Sequence, residues 1–224
     1  MTSPFPTARP AWPTCRPDGA LASVLLAFLT TAGLVYVTIM PALVAGLQDG
    51  LGFSVREAGF VASANVYGAA LGGLISFFAI GYLDWRRSAA LVLVLLIAVD
   101  CASILIHRPG VMIAVRFAHG VIGGFLVGVG YAVIARTRSP DRSFGVLMLI
   151  QFTLAGVGMM VLPGLVPIYG PGVLFATLAA FSAITLAMLP FIPPYPAAGR
   201  PQALAGGPAA ERVQREQPPQ GPKP

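Results

Sequence analysis

Charge is scarce in this chain. Only 10% of its 224 residues are charged, where a soluble domain carries about 25%. Lysine occurs once, at Lys223, and hydrophobic residues make up 56%. Mean hydropathy is +0.80. Such a chain has too little polar surface for a soluble enzyme, and too few charges for a disordered protein or a nucleic-acid binder. Cysteine is also rare. Cys15 and Cys101 lie in a polar tail and an apolar run, so they offer neither a disulfide framework nor metal-ligand spacing. No phosphate-binding loop of the glycine-lysine type occurs, so any transport draws on a gradient or a partner rather than on bound ATP. The reading implies no cofactor and no metal.

What the chain has in abundance is long uncharged runs. A bilayer core of about 30 Å needs roughly 20 apolar residues as helix. There are 30 uncharged residues between Asp18 and Asp49, and 26 between Glu57 and Asp84. Residues 88–107 carry only Asp100, and residues 109–135 carry only Arg116. The 57 uncharged residues between Arg142 and Arg200 are too many for one span. The breakers Pro163-Gly164, Pro167 and Gly170-Pro171-Gly172 divide that run at an expected turn. The result is six predicted spans, about 21–46, 58–82, 88–106, 111–135, 143–165 and 172–191. They are helical because lipid leaves no other partner for backbone polar groups. Residues 1–20 read as a polar N-terminal tail. Residues 193–224, rich in Pro, Ala, Gly, Gln and Arg, read as a disordered tail.

The net charge of +6 has a spatial pattern. With the N-terminus inside, eleven Lys and Arg residues fall on the cytoplasmic side, and only Arg56 and Arg108 fall outside. By the positive-inside rule both termini are expected in the cytoplasm, in a bacterial-type inner membrane.

A shift of 86 residues sets span 2 on span 5. Arg56 meets Arg142, Gly59 meets Gly145, Asn65 meets Gln151, Ala69 meets Ala155, and Gly72 meets Gly158. The two spans cross in opposite directions, so the relation is an inverted repeat of the kind secondary transporters use. The expected fold is an all-α membrane bundle of six helices in a 3+3 inverted repeat.

Asp100 and Arg116 are the charges inside the predicted spans. Each costs about 2.5–3.5 kcal/mol at a helix centre. They flank Arg108 by eight residues on either side, at equal depth, so an interhelical ion pair is feasible. It serves either helix packing or a proton or substrate route. His119 follows Arg116 by three residues on the same face and is a candidate relay, its ordinary pKa being near 6.5. Gly120, Gly124 and Gly128, with Gly68 and Gly72 of span 2, have the small-residue spacing of close helix contacts. Thr31 and Thr38 of span 1, Asn65 of span 2 and Gln151 of span 5 are candidate substrate contacts.

Three segments resemble the N-terminal six-helix half of the major facilitator superfamily. Leu51-Gly52-Phe53-Ser54-Val55-Arg56-Glu57-Ala58-Gly59 is similar to the outer loop leading into span 2. Gly81-Tyr82-Leu83-Asp84-Trp85-Arg86-Arg87 resembles the cytoplasmic loop motif, with one residue before the Asp and the later glycine missing. Arg116-Phe117-Ala118-His119-Gly120 resembles the span 4 motif, with His119 where the family has glutamine. The resemblance implies a gating role for Asp84, Arg86 and Arg87, a proton-transfer role for Arg116, and a pathway wall from spans 1, 2, 4 and 5. It also implies twelve spans. Six would therefore make a permease half that pairs with a second half or with itself. The alternative is a truncated, regulatory or structural membrane subunit. An intramembrane serine protease would need a histidine after the nucleophile's span; none follows His119, and no glutamate lies in a predicted span.

Overall fold

The computed structural model describes residues 14–16 and 19–195. The described residues form seven α-helices: α1 (Ala20–Thr38), α2 (Met40–Leu51), α3 (Val55–Ala79), α4 (Trp85–Ile104), α5 (Pro109–Ile134), α6 (Pro140–Tyr169) and α7 (Gly172–Met188). A 3-10 turn, Leu189–Phe191, follows α7. Six of these helical segments are long and apolar enough to cross a membrane. The predicted tails lie almost wholly outside the described residues.

Helix boundaries follow local chemistry. Ser54 caps α3 in a reciprocal capping box. Its hydroxyl accepts from the Glu57 amide at 3.2 Å, and its own amide donates to Glu57 Oε2 at 2.9 Å. Glu57 thus sits in the first turn of α3, ahead of the span start at 58. Asp84 caps α4, accepting from the amides of Arg86 and Arg87 at 3.0 and 2.9 Å. Proline opens both α5 and α6, where its missing N–H has no helical partner to lose.

The structure differs from the sequence expectation in two places. The first predicted span, 21–46, is not one helix. It breaks at Ile39 (φ −105°, ψ 14°) and resumes as α2. Pro41 explains this: it cannot donate to the residue four back, and its ring crowds that carbonyl. The second difference is at Pro163 and Pro167. The expected turn there is absent, and α6 runs through both prolines to Tyr169. Proline is tolerated inside membrane helices because neighbours re-satisfy the freed carbonyls. The chain turns only at Gly170, whose φ of +79° suits a residue without Cβ.

The helices pair in an exchangeable pattern: α3 packs along α5 as α6 packs along α1, while α1 meets α5 and α4 meets α7. Exchanging the first three spans with the last three reproduces these neighbours, as a 3+3 inverted repeat requires. The α3–α5 contact is backbone against backbone. A Cβ at Gly68 or Gly72 would overlap the carbonyl oxygens of Phe117 or Val121, and one at Gly124 would overlap that of Ala69. A Cβ at Gly128 would overlap the Ser76 hydroxyl. Helices α1 and α5 cross at Gly33 and Gly123 in the same manner.

Two apolar cores result. One joins the start of α1 and α4 to the end of α5, with Leu26, Leu93 and Val133 wholly buried. The other joins α2 to the end of α1 and the starts of α5 and α7 through Tyr36, Met112 and Phe175. Helix α6 is peripheral: only 11% of its most apolar window is buried.

Candidate proton and charge site

Arg116 of α5 is completely buried, and Asp100 of α4 is 1% exposed. Arg116 Nη1 donates to Asp100 Oδ1 at 2.9 Å. Its Nη2 donates to the Ser103 hydroxyl and, at 3.4 Å, to the Val99 carbonyl. The guanidinium carbon lies 5.4 Å from the Tyr36 ring centre and 4.9 Å from that of Phe175. Aromatic faces from α1 and α7 therefore flank the cation, an arrangement favourable once water is removed.

His119, one turn along α5, reaches the same carboxylate: Nε2 is 3.3 Å from Asp100 Oδ1. Its Nδ1 is 2.9 Å from Asn65 Nδ2 of α3, which also donates to the Arg116 carbonyl at 3.1 Å. The site thus draws side chains from α1, α3, α4, α5 and α7. Two of its polar atoms remain without a partner although fully buried: Asp100 Oδ2 and Arg116 Nε.

A cavity of about 220 Å³ opens beside the site. It is formed where α2, α4 and α6 end and α7 begins, and Ser103, His107 and Phe175 are among its lining residues. Ser103 and Phe175 also touch Arg116. The cavity therefore connects the end of the bundle carrying the α4–α5 turn to the immediate neighbours of the buried charges.

The substrate-contact candidates do not converge. Asn65 joins the charge site. Thr38 donates to its own helix at Val35 O, 2.8 Å away. Thr31 is fully buried with an unpartnered hydroxyl, and Gln151 keeps an unpartnered buried Oε1. None of the four lines the apolar cavity between α1, α6 and α7, of about 240 Å³.

In the loop motif, Asp84 is spent on capping α4. Arg86 Nη2 donates to the carbonyls of Leu189 and Pro190 at 3.0 and 2.6 Å, tying the end of α7 to the start of α4. The backbone amide of Arg87 shares the Asp84 cap.

Sequence reasoning missed Ser103, Tyr36 and Phe175. Ser103 was detectable in principle, since it follows Asp100 by three residues and shares its helix face. No sequence signal separates Tyr36 or Phe175 from ordinary apolar residues.

No curated protein matches the chain. Residues 21–219 match the Major Facilitator Superfamily. With six long apolar helices in the arrangement of one half of that fold, the chain is a multi-pass membrane protein belonging to the Major Facilitator Superfamily of secondary transporters.

Proposed function

We propose that the chain is one half of a proton-coupled permease for a small molecule, with Asp100, Arg116 and His119 as its proton site. One observation carries this reading: a buried carboxylate has a cation and an imidazole on one oxygen and nothing on the other. A carboxylate so placed can exchange its arginine partner for a proton, which makes the charge state of the site a variable of the transport cycle. The adjoining cavity supports access from the α4–α5 end. Alternating access in such folds rocks one repeat or bundle against another, and a six-helix half supplies one wall. The second wall is a second half or another copy of this chain. The termini are cytoplasmic in this reading, supported by the eleven cations on that side.

The test uses liposomes containing the chain and an internal pH-sensitive dye. They are challenged in turn with amino acids, sugars, carboxylates and lipophilic cations. A solute that moves protons with wild type but not with Asp100→Asn supports the reading. A solute carried equally by both, with no dye response, overturns proton coupling. Full uptake by monomeric chains overturns the need for a second half.

A further inference from the structure

The hydrogen-bond polarity of the site can be worked out from a single carbonyl. Asn65 Nδ2 faces Arg116 O at 3.1 Å. A backbone carbonyl only accepts, so the atom against it is the amide nitrogen and not Oδ1. That nitrogen has one N–H left, and it points to His119 Nδ1 at 2.9 Å. Nδ1 must therefore accept. An imidazole that accepts at Nδ1 carries its proton on Nε2, and Nε2 lies 3.3 Å from Asp100 Oδ1. Every group then has the right sense: Asn65 donates twice, His119 accepts once and donates once, and Asp100 Oδ1 accepts from both His119 and Arg116.

We propose that Asn65 is a positioning residue that holds His119 as the neutral Nε2–H tautomer and so aims its proton at Asp100. The groups packed around His119 agree with this. Asp100 comes from α4, Asn65 from α3 and the Tyr36 ring from α1, with centroids 5.5 Å apart; Arg116 lies on the same helix. Among these, Asp100 is the acceptor at Nε2 and Asn65 the donor at Nδ1.

The arrangement has a mechanical consequence, which rests on the proton-coupled reading above although the tautomer itself does not. A proton arriving at His119 can bind only at Nδ1, where it meets the Asn65 N–H. Asn65 cannot rotate to offer Oδ1 without setting that oxygen against the Arg116 carbonyl. Protonation therefore costs Asn65 its bond to His119, and turning the amide to recover that bond would cost the one to the Arg116 carbonyl. Asn65 sits in the α3–α5 seam, where a Cβ at Gly120 would overlap its carbonyl oxygen. The charge of His119 and the closeness of α3 to α5 are thereby linked.

The test is the nitrogen NMR spectrum of protein labelled with ¹⁵N-histidine in lipid bilayers. The chain has two histidines, so His107→Gln leaves His119 as the sole signal. Nitrogen shifts separate the two tautomers from the imidazolium. At neutral pH a single Nε2–H form is expected. In Asn65→Leu it gives way to a mixture containing the Nδ1–H form. In Asn65→Asp, whose carboxylate accepts, a proton appears on Nδ1. A wild-type His119 found as Nδ1–H or imidazolium overturns the proposal. So does an Asn65→Leu protein that keeps the pure Nε2–H form. Should the Leu variant not fold, the wild-type and Asp spectra still decide. None of these spectra depends on substrate or transport, so a failure of proton coupling is read separately.

Discussion

The Asn65 carbonyl and the α-carbon of Gly120 lie so close that a Cβ on Gly120 would overlap the oxygen. The α3–α5 seam is thus built from missing side chains, and Gly124 against Ala69 repeats the arrangement one turn on. Gly120→Val is expected to part the two helices and to pull Asn65 away from His119. Overpacking of this kind costs about 1–3 kcal/mol. Gly59 has open space around its Cβ position, so Gly59→Ala is the control, expected to be at least as stable as wild type because Ala favours the helix. Midpoints of thermal unfolding in detergent, followed by tryptophan fluorescence, compare the two. Equal midpoints for Gly120→Val and wild type would refute the seam.

Asp100 and Arg116 stabilise each other only as a pair. Removing one partner of a buried pair leaves an uncompensated charge and costs about 3–5 kcal/mol. Arg116→Ala is therefore expected to lower the amount of folded protein sharply. Arg116→Ala combined with Asp100→Ala is expected to recover much of it, since neither charge remains. Folded yield by size-exclusion chromatography measures both. A double variant no better than the single one would mean that Arg116 acts through its aromatic and Ser103 contacts rather than through Asp100.

Much of this fold was legible in the sequence for a simple reason: lipid penalises charge, so the gaps between charges trace the helices. The same penalty exposed Asp100 and Arg116. Proline was legible only in part. Pro41 breaks the first span where the run of apolar residues suggested continuity, while Pro163 and Pro167 leave α6 unbroken. Whether a proline bends or ends a membrane helix depends on neighbours the sequence does not display. Polar residues were harder still. Asn65 and Thr38 looked alike as candidate contacts, yet one amide bridges two helices and the other residue's hydroxyl bonds its own. Convergence of side chains from five helices carries no local signature.

The cavity beside the site predicts a contrast between two neighbouring positions. Ser103 lines it, whereas Cys101, two residues earlier, is exposed on the outer surface of α4, where lipid would surround it. A charged reagent does not enter lipid, where an unpaired ion costs far more than it does in water. In a protein lacking Cys15, Ser103→Cys is expected to react with a small, charged, membrane-impermeant thiol reagent, and native Cys101 to stay unmodified. Reagent supplied from the α4–α5 side should suffice. Mass spectrometry of the labelled chain reads both sites, and equal labelling of the two would mean that the cavity is not the watered route.

At the opposite end, Arg86 holds the Leu189 and Pro190 carbonyls, and the next residue, Phe191, accepts from the backbone amide of Cys15 at 3.1 Å. Burial pushes the Cys15 thiol above its ordinary pKa, so at neutral pH less of it is thiolate. Arg86→Ala removes both charge-assisted bonds and frees the segment after α7 to move away from Cys15. The thiol then returns toward its ordinary pKa. Because a lower pKa means more thiolate at a given pH, alkylation of Cys15 should become faster below the pKa. At strongly alkaline pH, where the thiol ionises in either case, the difference from this cause should vanish. Iodoacetamide rates across pH 7–10, in a Cys101→Ser background, follow the change. Arg86→Lys is expected to fall between wild type and Ala, since one ammonium can still reach a carbonyl but lacks the planar fork that spans two. A rate unchanged in Arg86→Ala would show that the Cys15–Phe191 bond holds that segment without the arginine.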